Sequence, residues 1–206
     1  MLICVVSFYN ECSLIKKCIE SVYSYVDRII CVDGTYIQFP YDVPYSTDGT
    51  LEYLETLSRV ELIKTKTAWE SEIKKRNQYL IGSSGDYYLM LDADEWVENP
   101  AILKNHPQAD VVRTTFTRTR DNFSYTLPKI FKHQEGICYR HKHYWLHDKD
   151  GNSITTLKKT GPKYREAQFL ELVIFHNSNL RGGRRERAKK IYYDFLRKTE
   201  GKISEI

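Results

Sequence analysis

Apolar positions in the first hundred residues follow two alternating patterns. Residues 2–7, 28–32, 60–63 and 87–91 are short, nearly continuous apolar runs of the length expected for buried strands. Between them lie segments with helical periodicity. Residues 11–26 place Leu14, Ile15, Cys18, Ile19, Val22 and Val26 on one face; residues 47–58 repeat Leu51, Leu54 and Leu57 at three-residue spacing; residues 69–81 form a third helical stretch. Strand–helix alternation of this kind predicts a mainly parallel sheet with helices on both faces, a three-layer αβα arrangement. Ligands in such sheets bind beyond the carboxyl ends of the strands. Attention therefore falls on Tyr9-Asn10-Glu11, Asp33-Gly34 and Asp92-Ala93-Asp94-Glu95, which follow the first, second and fourth runs.

The pattern changes near residue 109. Residues 110–117, 127–133, 137–145 and 153–157 read as extended segments, with Asp150-Gly151 as a hairpin turn and residues 169–175 as a further apolar run. Residues 184–198 read as a closing helix with Ala188, Ile191, Tyr192, Phe195 and Leu196 facing inward. No internal repeat or low-complexity linker divides the chain, so residues 1–206 are expected to form one α/β domain. Its halves are an α/β ligand-binding half at 1–100 and a mixed half at 101–206.

Composition and charge narrow the classes. The chain has 206 residues, 41% of them apolar and 28% charged, enough for a substantial core without disulfides. Its apolar runs are far shorter than the ~18–20 residues of a membrane-spanning helix, and the start shows no secretory-signal pattern. Five cysteines at 4, 12, 18, 31 and 138 lack zinc-ligand spacing and mostly sit in apolar contexts. They read as buried free thiols in a reducing, cytoplasmic setting. The net charge of +4 hides an asymmetry. Residues 1–100 carry 9 Lys/Arg and 16 Asp/Glu (9 − 16 = −7), while 101–206 carry 22 and 11 (22 − 11 = +11), together with all six His.

The sharpest chemical signal is Asp92-Ala93-Asp94-Glu95. Three carboxylates within four positions repel one another unless a cation or hydrogen bonds compensate. A hard divalent ion, Mg²⁺ or Mn²⁺, suits carboxylate oxygens and can bridge phosphates; the alternative is a solvated acidic turn. Tyr9 offers a ring for stacking and Asp33 a carboxylate for hydrogen bonding to a base, against plain turn and capping roles. Arg76, within Lys74-Lys75-Arg76-Asn77, suits a base or pyrophosphate, against a solvated basic face.

Ser7-Phe8-Tyr9-Asn10-Glu11, Val32-Asp33-Gly34, Ser46-Thr47-Asp48-Gly49-Thr50, Arg76-Asn77 and Leu91-Asp92-Ala93-Asp94-Glu95 occur in an order and spacing that resembles family 2-like glycosyltransferases with the GT-A fold. The resemblance covers roughly the first 100 residues; residues 35–45 interrupt a motif that the family usually runs without a break. It implies a GT-A unit, a Rossmann-like nucleotide-binding half joined to a mixed acceptor-side half. It also implies a metal-dependent glycosyltransferase moving a sugar from a nucleoside-diphosphate sugar, a UDP-sugar first, to a hydroxyl of a glycan, protein-linked glycan or lipid-linked acceptor. Carried over by residue, Tyr9, Glu11, Asp33, Arg76 and Asp92 bind the nucleotide, Asp94 binds Mn²⁺ or Mg²⁺, and His176 adds a metal ligand. An inverting reaction needs a general base. Asp148, Asp150, Glu166 and Glu171 are the candidates, and Asp148, beside His141, His143, Trp145 and His147, is the choice among them; without a base the reaction would be retaining.

The segment 181–198 carries 8 Lys/Arg against 2 Asp/Glu and could face a diphosphate, an anionic acceptor or a peripheral membrane surface. A non-catalytic sugar-nucleotide-binding domain is the main alternative. A nucleic-acid-binding module would leave Asp92-Ala93-Asp94 unexplained, so no nucleic-acid partner is expected. The small size of the acceptor half leaves room for this unit to be the N-terminal domain of a longer protein.

Overall fold

A computed structural model describes residues 1–37, 39–82, 86–141, 145–177, 187, 188, 190–192 and 194. Eight strands form one sheet in the order β3-β2-β1-β4-β7-β6-β11-β5. The first four, β1 (Leu2–Ser7), β2 (Arg28–Val32), β3 (Val60–Ile63) and β4 (Tyr87–Asp92), run parallel. β7 (Phe123–Lys132) pairs antiparallel with both β4 and β6 (Val111–Arg118). β11 (Glu166–His176) runs parallel to β6, and β5 (Glu95–Val97) closes the edge antiparallel to β11. A separate three-stranded sheet joins β8 (Cys138–Tyr139), β9 (Leu146–His147) and β10 (Ser153–Thr155).

The period-2 pleat of β1 divides the core. Cys4 and Val6 face a cluster completed by Ile15, Cys18, Ile19 and Val22 of α1 (Cys12–Val22) and Leu54 of α2 (Thr50–Glu55). Ile3 and Val5 face the opposite cluster, which takes in Tyr79, Tyr139, Leu146 and Ile154, with Ile73 of α3 (Glu72–Asn77) packed against it. Helices cover one face of the sheet; α3 and the small sheet cover the other. This is the expected mainly parallel, three-layer α/β arrangement. Cys4, Cys18 and Cys31 are fully buried free thiols, and burial raises the pKa of each, which keeps them inert core groups.

All three of these helices are shorter than their apolar periodicity implies, and α1 ends at Val22 instead of Val26. α2 starts after Gly49, whose left-handed φ of 88° ends the preceding turn. α3 starts at Ser71, whose side chain accepts the Lys74 amide at 3.2 Å, which confines the helix to residues after that cap. At the chain's end, Arg187, Ala188, Lys190, Ile191, Tyr192 and Asp194 are helical; the remainder of the expected 184–198 helix, including Phe195 and Leu196, lies outside the described residues. The described helices include none long and apolar enough to cross a membrane.

The interruption at 35–45 leaves the flanking motif together. The Thr35 amide donates to the Pro44 carbonyl at 2.9 Å, so the chain leaves β2, loops out and returns to the same point. Ser46 then donates from its hydroxyl to Asp33 Oδ1 at 2.6 Å and from its amide to Oδ2 at 3.1 Å. Gly34 sits at the branch point with φ 106°; a Cβ there would lie 2.4 Å from Thr65 Cγ2, which no other residue could accommodate without a shift.

Candidate active site

The carboxyl ends of β1, β2 and β4 open into a cleft of about 490 Å³, a size typical of small-ligand sites. One wall, from the first hundred residues, carries Tyr9, Glu11, Lys75, Arg76 and Asp92, together with Gly34, Thr35, Tyr36 and Phe39 from the looped-out segment and its start. Its opposite wall carries Phe116, Arg118, Tyr125, Thr126 and Lys158, and His176.

The first βα turn is held by the loop that follows the insertion. Asn10, at φ 50°, accepts the Thr47 amide at 2.8 Å, and its own amide donates to Ser46 Oγ at 2.8 Å. The Glu11 amide donates to Thr50 Oγ1 at 3.2 Å, and the Cys12 amide to Asp48 Oδ2 at 2.9 Å. The start of α1 is thus capped by Asp48 from another loop, because Glu11 makes no side-chain cap. These bonds fix where Tyr9 and Glu11 stand. The Tyr9 hydroxyl donates to the Val43 carbonyl at 2.7 Å, and its ring meets Phe39 edge-on at 6.3 Å.

Arg76 joins helix α3 to the acidic turn. Its Nε donates to Glu72 Oε1 at 3.0 Å and its Nη2 to Asp92 Oδ1 at 2.7 Å, with the guanidinium almost entirely buried. One fork holding two carboxylates is the geometry guanidinium suits and ammonium does not. Lys75 is buried one residue earlier and donates from Nζ to the carbonyls of Phe8 and Gly34, tying the ends of β1 and β2 together.

The acidic turn is neutralised from below. Glu95 Oε2 accepts from Lys129 Nζ at 2.6 Å, both side chains being sealed from water, and from the Asp92 amide at 2.9 Å. Burial pushes the Glu95 carboxyl pKa up, while the Lys129 ammonium pulls it back toward the charged form. The sequence assigns neither Lys75 nor Lys129 a role of its own, although both lie in stretches that it marks. The available signal was a lysine inside an apolar stretch, Pro128-Lys129-Ile130-Phe131, which reads as solvent-facing until both faces of β7 are known to be covered.

Strand pairing brings His176 to the acidic turn. In the β5–β11 ladder His176 lies opposite Glu95, and the Asn177 amide donates to the Asp94 carbonyl at 3.0 Å. His176 Nε2 consequently stands 3.0 Å from Asp94 Oδ2. A carboxylate oxygen and an imidazole nitrogen this close, beside a cleft, make a donor pair compatible with Mn²⁺. Among the described residues no group of three His, Cys, Asp or Glu side chains is placed to hold an ion by itself. A two-donor site that leaves positions for ligand phosphates and water is normal for Mg²⁺, so the residues fit a cation shared with a bound diphosphate.

The sequence-derived candidates divide by location. Tyr9, Glu11, Arg76, Asp92 and His176 line the one cleft, and Asp94 adjoins it through His176. Asp33 is fully buried, with both oxygens engaged by Ser46, and lies behind Gly34 and away from the lining. Asp148 also lies off the lining. It accepts from Tyr164 Oη at 2.6 Å, the Asn152 amide at 2.8 Å and Asn152 Nδ2 at 2.9 Å, and these hydrogen bonds, Tyr164 first, lower its pKa to about 2. A carboxylate so stabilised is a poor proton acceptor near neutral pH. His141 and His147 stand 5.6 Å apart in this same region, while His143 and the basic Arg181-Gly182-Gly183-Arg184-Arg185 segment lie outside the described residues.

The family model for glycosyl transferase family 2 matches residues 3–186. A TPR repeat-containing protein of Synechococcus elongatus is 27% identical over 177 residues, 81% of this chain and 40% of that protein, so the chain spans about two fifths of that relative's length. Among solved structures, S. aureus TarS 1–349 superposes with a TM-score of 0.58 at 14% identity, covering 98% of this chain and 72% of TarS 1–349. The mannosyltransferase PcManGT from Pyrobaculum calidifontis, solved with GDP-Man and Mn²⁺, gives 0.57 at 17% identity, covering 96% of this chain and 64% of that one. These two likenesses establish the GT-A fold. With nearly its whole length matched by the family model, the chain belongs to glycosyl transferase family 2.

Proposed function

We propose that this protein transfers a sugar from a nucleoside-diphosphate sugar, a UDP-sugar first, to a hydroxyl of a glycan or glycoconjugate acceptor. The observation that carries this is the single cleft in which Tyr9, Glu11, Arg76 and Asp92 meet His176, with Asp94 alongside. Tyr9 supplies a ring for the base, and Asp92, held by Arg76, faces the ribose. Asp94 and His176 would hold Mn²⁺ or Mg²⁺, which supplies neutralisation of the negative charge developing on the departing diphosphate. Asp33 acts through Ser46 by fixing the loop that positions the first βα turn.

The leaving group takes the electron pair of the broken glycosidic bond, and the acceptor hydroxyl forms the new bond and gives up a proton. The carboxylates lining the cleft, Glu11, Glu72, Asp92 and Glu95, all belong to the nucleotide half. Glu72 and Asp92 are held by Arg76 and Glu95 by Lys129, so these three are no better placed than Asp148 to take the proton, which leaves Glu11 under inversion or a retaining reaction. The anomeric configuration of the product, read by proton NMR, decides between the two.

A donor screen with UDP-, GDP- and dTDP-sugars in Mn²⁺ tests the proposal. Turnover or slow donor hydrolysis with one nucleotide class supports an enzyme. Nucleotide binding with neither would support a non-catalytic sugar-nucleotide-binding domain, and salt-sensitive oligonucleotide binding without nucleotide-sugar affinity would support the nucleic-acid module.

A further inference from the structure

A row of rings leads out of the cleft on the side away from the nucleotide motifs: Phe116, Tyr125 and His176 line the cleft, and Phe123 lies beyond its lining. Phe116 stacks on His176 at 5.5 Å between centroids, Tyr125 follows Phe116 at 5.4 Å, and Phe123 follows Tyr125 at 5.8 Å. The strand register explains the row. Phe116 pairs directly with Tyr125, Arg118 pairs with both Phe123 and His176, and the two-residue repeat puts all five side chains on one face. The series starts at the Asp94–His176 pair and runs outward. Its outer members are open: Tyr125 is 38% exposed and Phe123 is 55% exposed. Arg118 lies over the Phe123 ring at 5.1 Å and is held there by Asp121 at 2.9 Å, so the ring is presented on a braced hairpin.

We propose, building on the transferase function above, that the β6–β7 hairpin is the acceptor track and that it takes an extended carbohydrate chain. Tyr125 seats the sugar nearest the reacting end and Phe123 the next. The ring spacing is close to the length of one sugar unit, and each ring offers an apolar face to the C–H face of a sugar, with polar groups at its edge for the hydroxyls. Only Ile130–Lys132 of β7 meet β4, so the outer half of β7 is paired on one side and a peptide strand could add there by backbone bonds, but such binding would depend neither on the Phe123 and Tyr125 rings nor on glycan length. A lipid tail is poorly served, because Arg118 and Asp121 interrupt the apolar surface beside Phe123. Neither Phe123 nor Tyr125 touches the groups assigned to the nucleotide, so the track sets acceptor length and leaves donor binding alone.

The test is an array of immobilised glucan, mannan and N-acetylglucosamine oligosaccharides of one to six units. It is probed with the wild type and with Phe123→Ala and Tyr125→Ala in Mn²⁺ and UDP, while UDP affinity is measured separately by calorimetry. The expected result is binding that strengthens from one unit to three. Each substitution weakens it about three- to tenfold, the range of one aromatic contact, with UDP affinity unchanged within about twofold. Retention of the longer glycans by both variants, no gain with length, or no glycan bound at all overturns the proposal. So does loss, in Phe123→Ala, of binding to anionic phospholipid vesicles instead, which would make the patch a membrane contact. Failure of the wild type to bind UDP is a different result and counts against the transferase function itself.

Discussion

The two walls of the cleft are built on opposite principles. On the nucleotide side nearly every polar group is fixed by another: Arg76 grips Glu72 and Asp92, Lys75 grips two strand-end carbonyls, and Lys129 grips Glu95 from beneath. On the opposite side Phe116 and Tyr125 line the cleft among Arg118, Thr126 and Lys158, and Tyr125 and, beyond the lining, Phe123 are open to solvent. Buried, fully paired charges hold one geometry and are costly to disturb. Exposed rings are inexpensive to alter and accept ligands of different lengths. The contrast is the one expected if, as proposed, the first wall holds the donor and the second takes a sugar chain.

The largest effect should come from breaking the buried pair. Lys129→Met removes the counter-charge of the buried Glu95 carboxyl, and urea unfolding should show a loss of about 3–5 kcal/mol. Adding Glu95→Gln should restore most of it. Phe123→Ala on the other wall should stay within about 0.5 kcal/mol, the usual range for surface positions. Equal losses from the two single substitutions would erase the contrast.

Arg76→Lys comes next. An ammonium cannot hold Glu72 and Asp92 with one planar fork, so UDP affinity should fall about tenfold, the equivalent of one charge-assisted bond. Unchanged affinity would mean that Asp92 needs no such orientation.

Acid sensitivity should be smaller and should localise to the second half. Burial lowers the pKa of His106, His133 and His147, so the unfolded chain takes up their protons first. Their contribution to stability is intact above the unfolded value of about 6.5 and is lost as pH falls below it toward the depressed folded values. The thermal midpoint should therefore drop between pH 7.5 and 5.5, and His147→Gln should reduce the drop. The smallest effect is expected from Asp148→Asn. Because Asp148 lies off the cleft, transfer should stay within about twofold of wild type, and a loss of more than about a hundredfold, the scale of general acid–base catalysis, would return it to the role of base.

The same contrast explains what was legible in the sequence. Period-2 and period-3.6 patterns report local structure, so β1 to β4, α1 and the position of Asp92-Ala93-Asp94-Glu95 at a strand end could be read directly. Partnerships across the chain leave no such trace. Ser46 docks on Asp33 across 13 positions because the intervening loop closes through Thr35 and Pro44. His176 reaches Asp94 only because β11 pairs antiparallel with the three-residue β5. Lys129 could not be recognised as buried until the sheet placed β7 between β4 and β6. Residues 101–206 read as extended segments, but their ring series depends on register, which alternation alone does not fix.

The most direct measurement is calorimetry of UDP binding with Mn²⁺ and with chelator, for the wild type and for Asp94→Ala. Mn²⁺ is expected to tighten UDP binding to the wild type by at least about tenfold, the lower end of what disturbing a metal site costs, and Asp94→Ala to abolish the difference. Equal UDP affinity with and without the ion, or a Mn²⁺ effect undiminished in Asp94→Ala, would contradict that expectation.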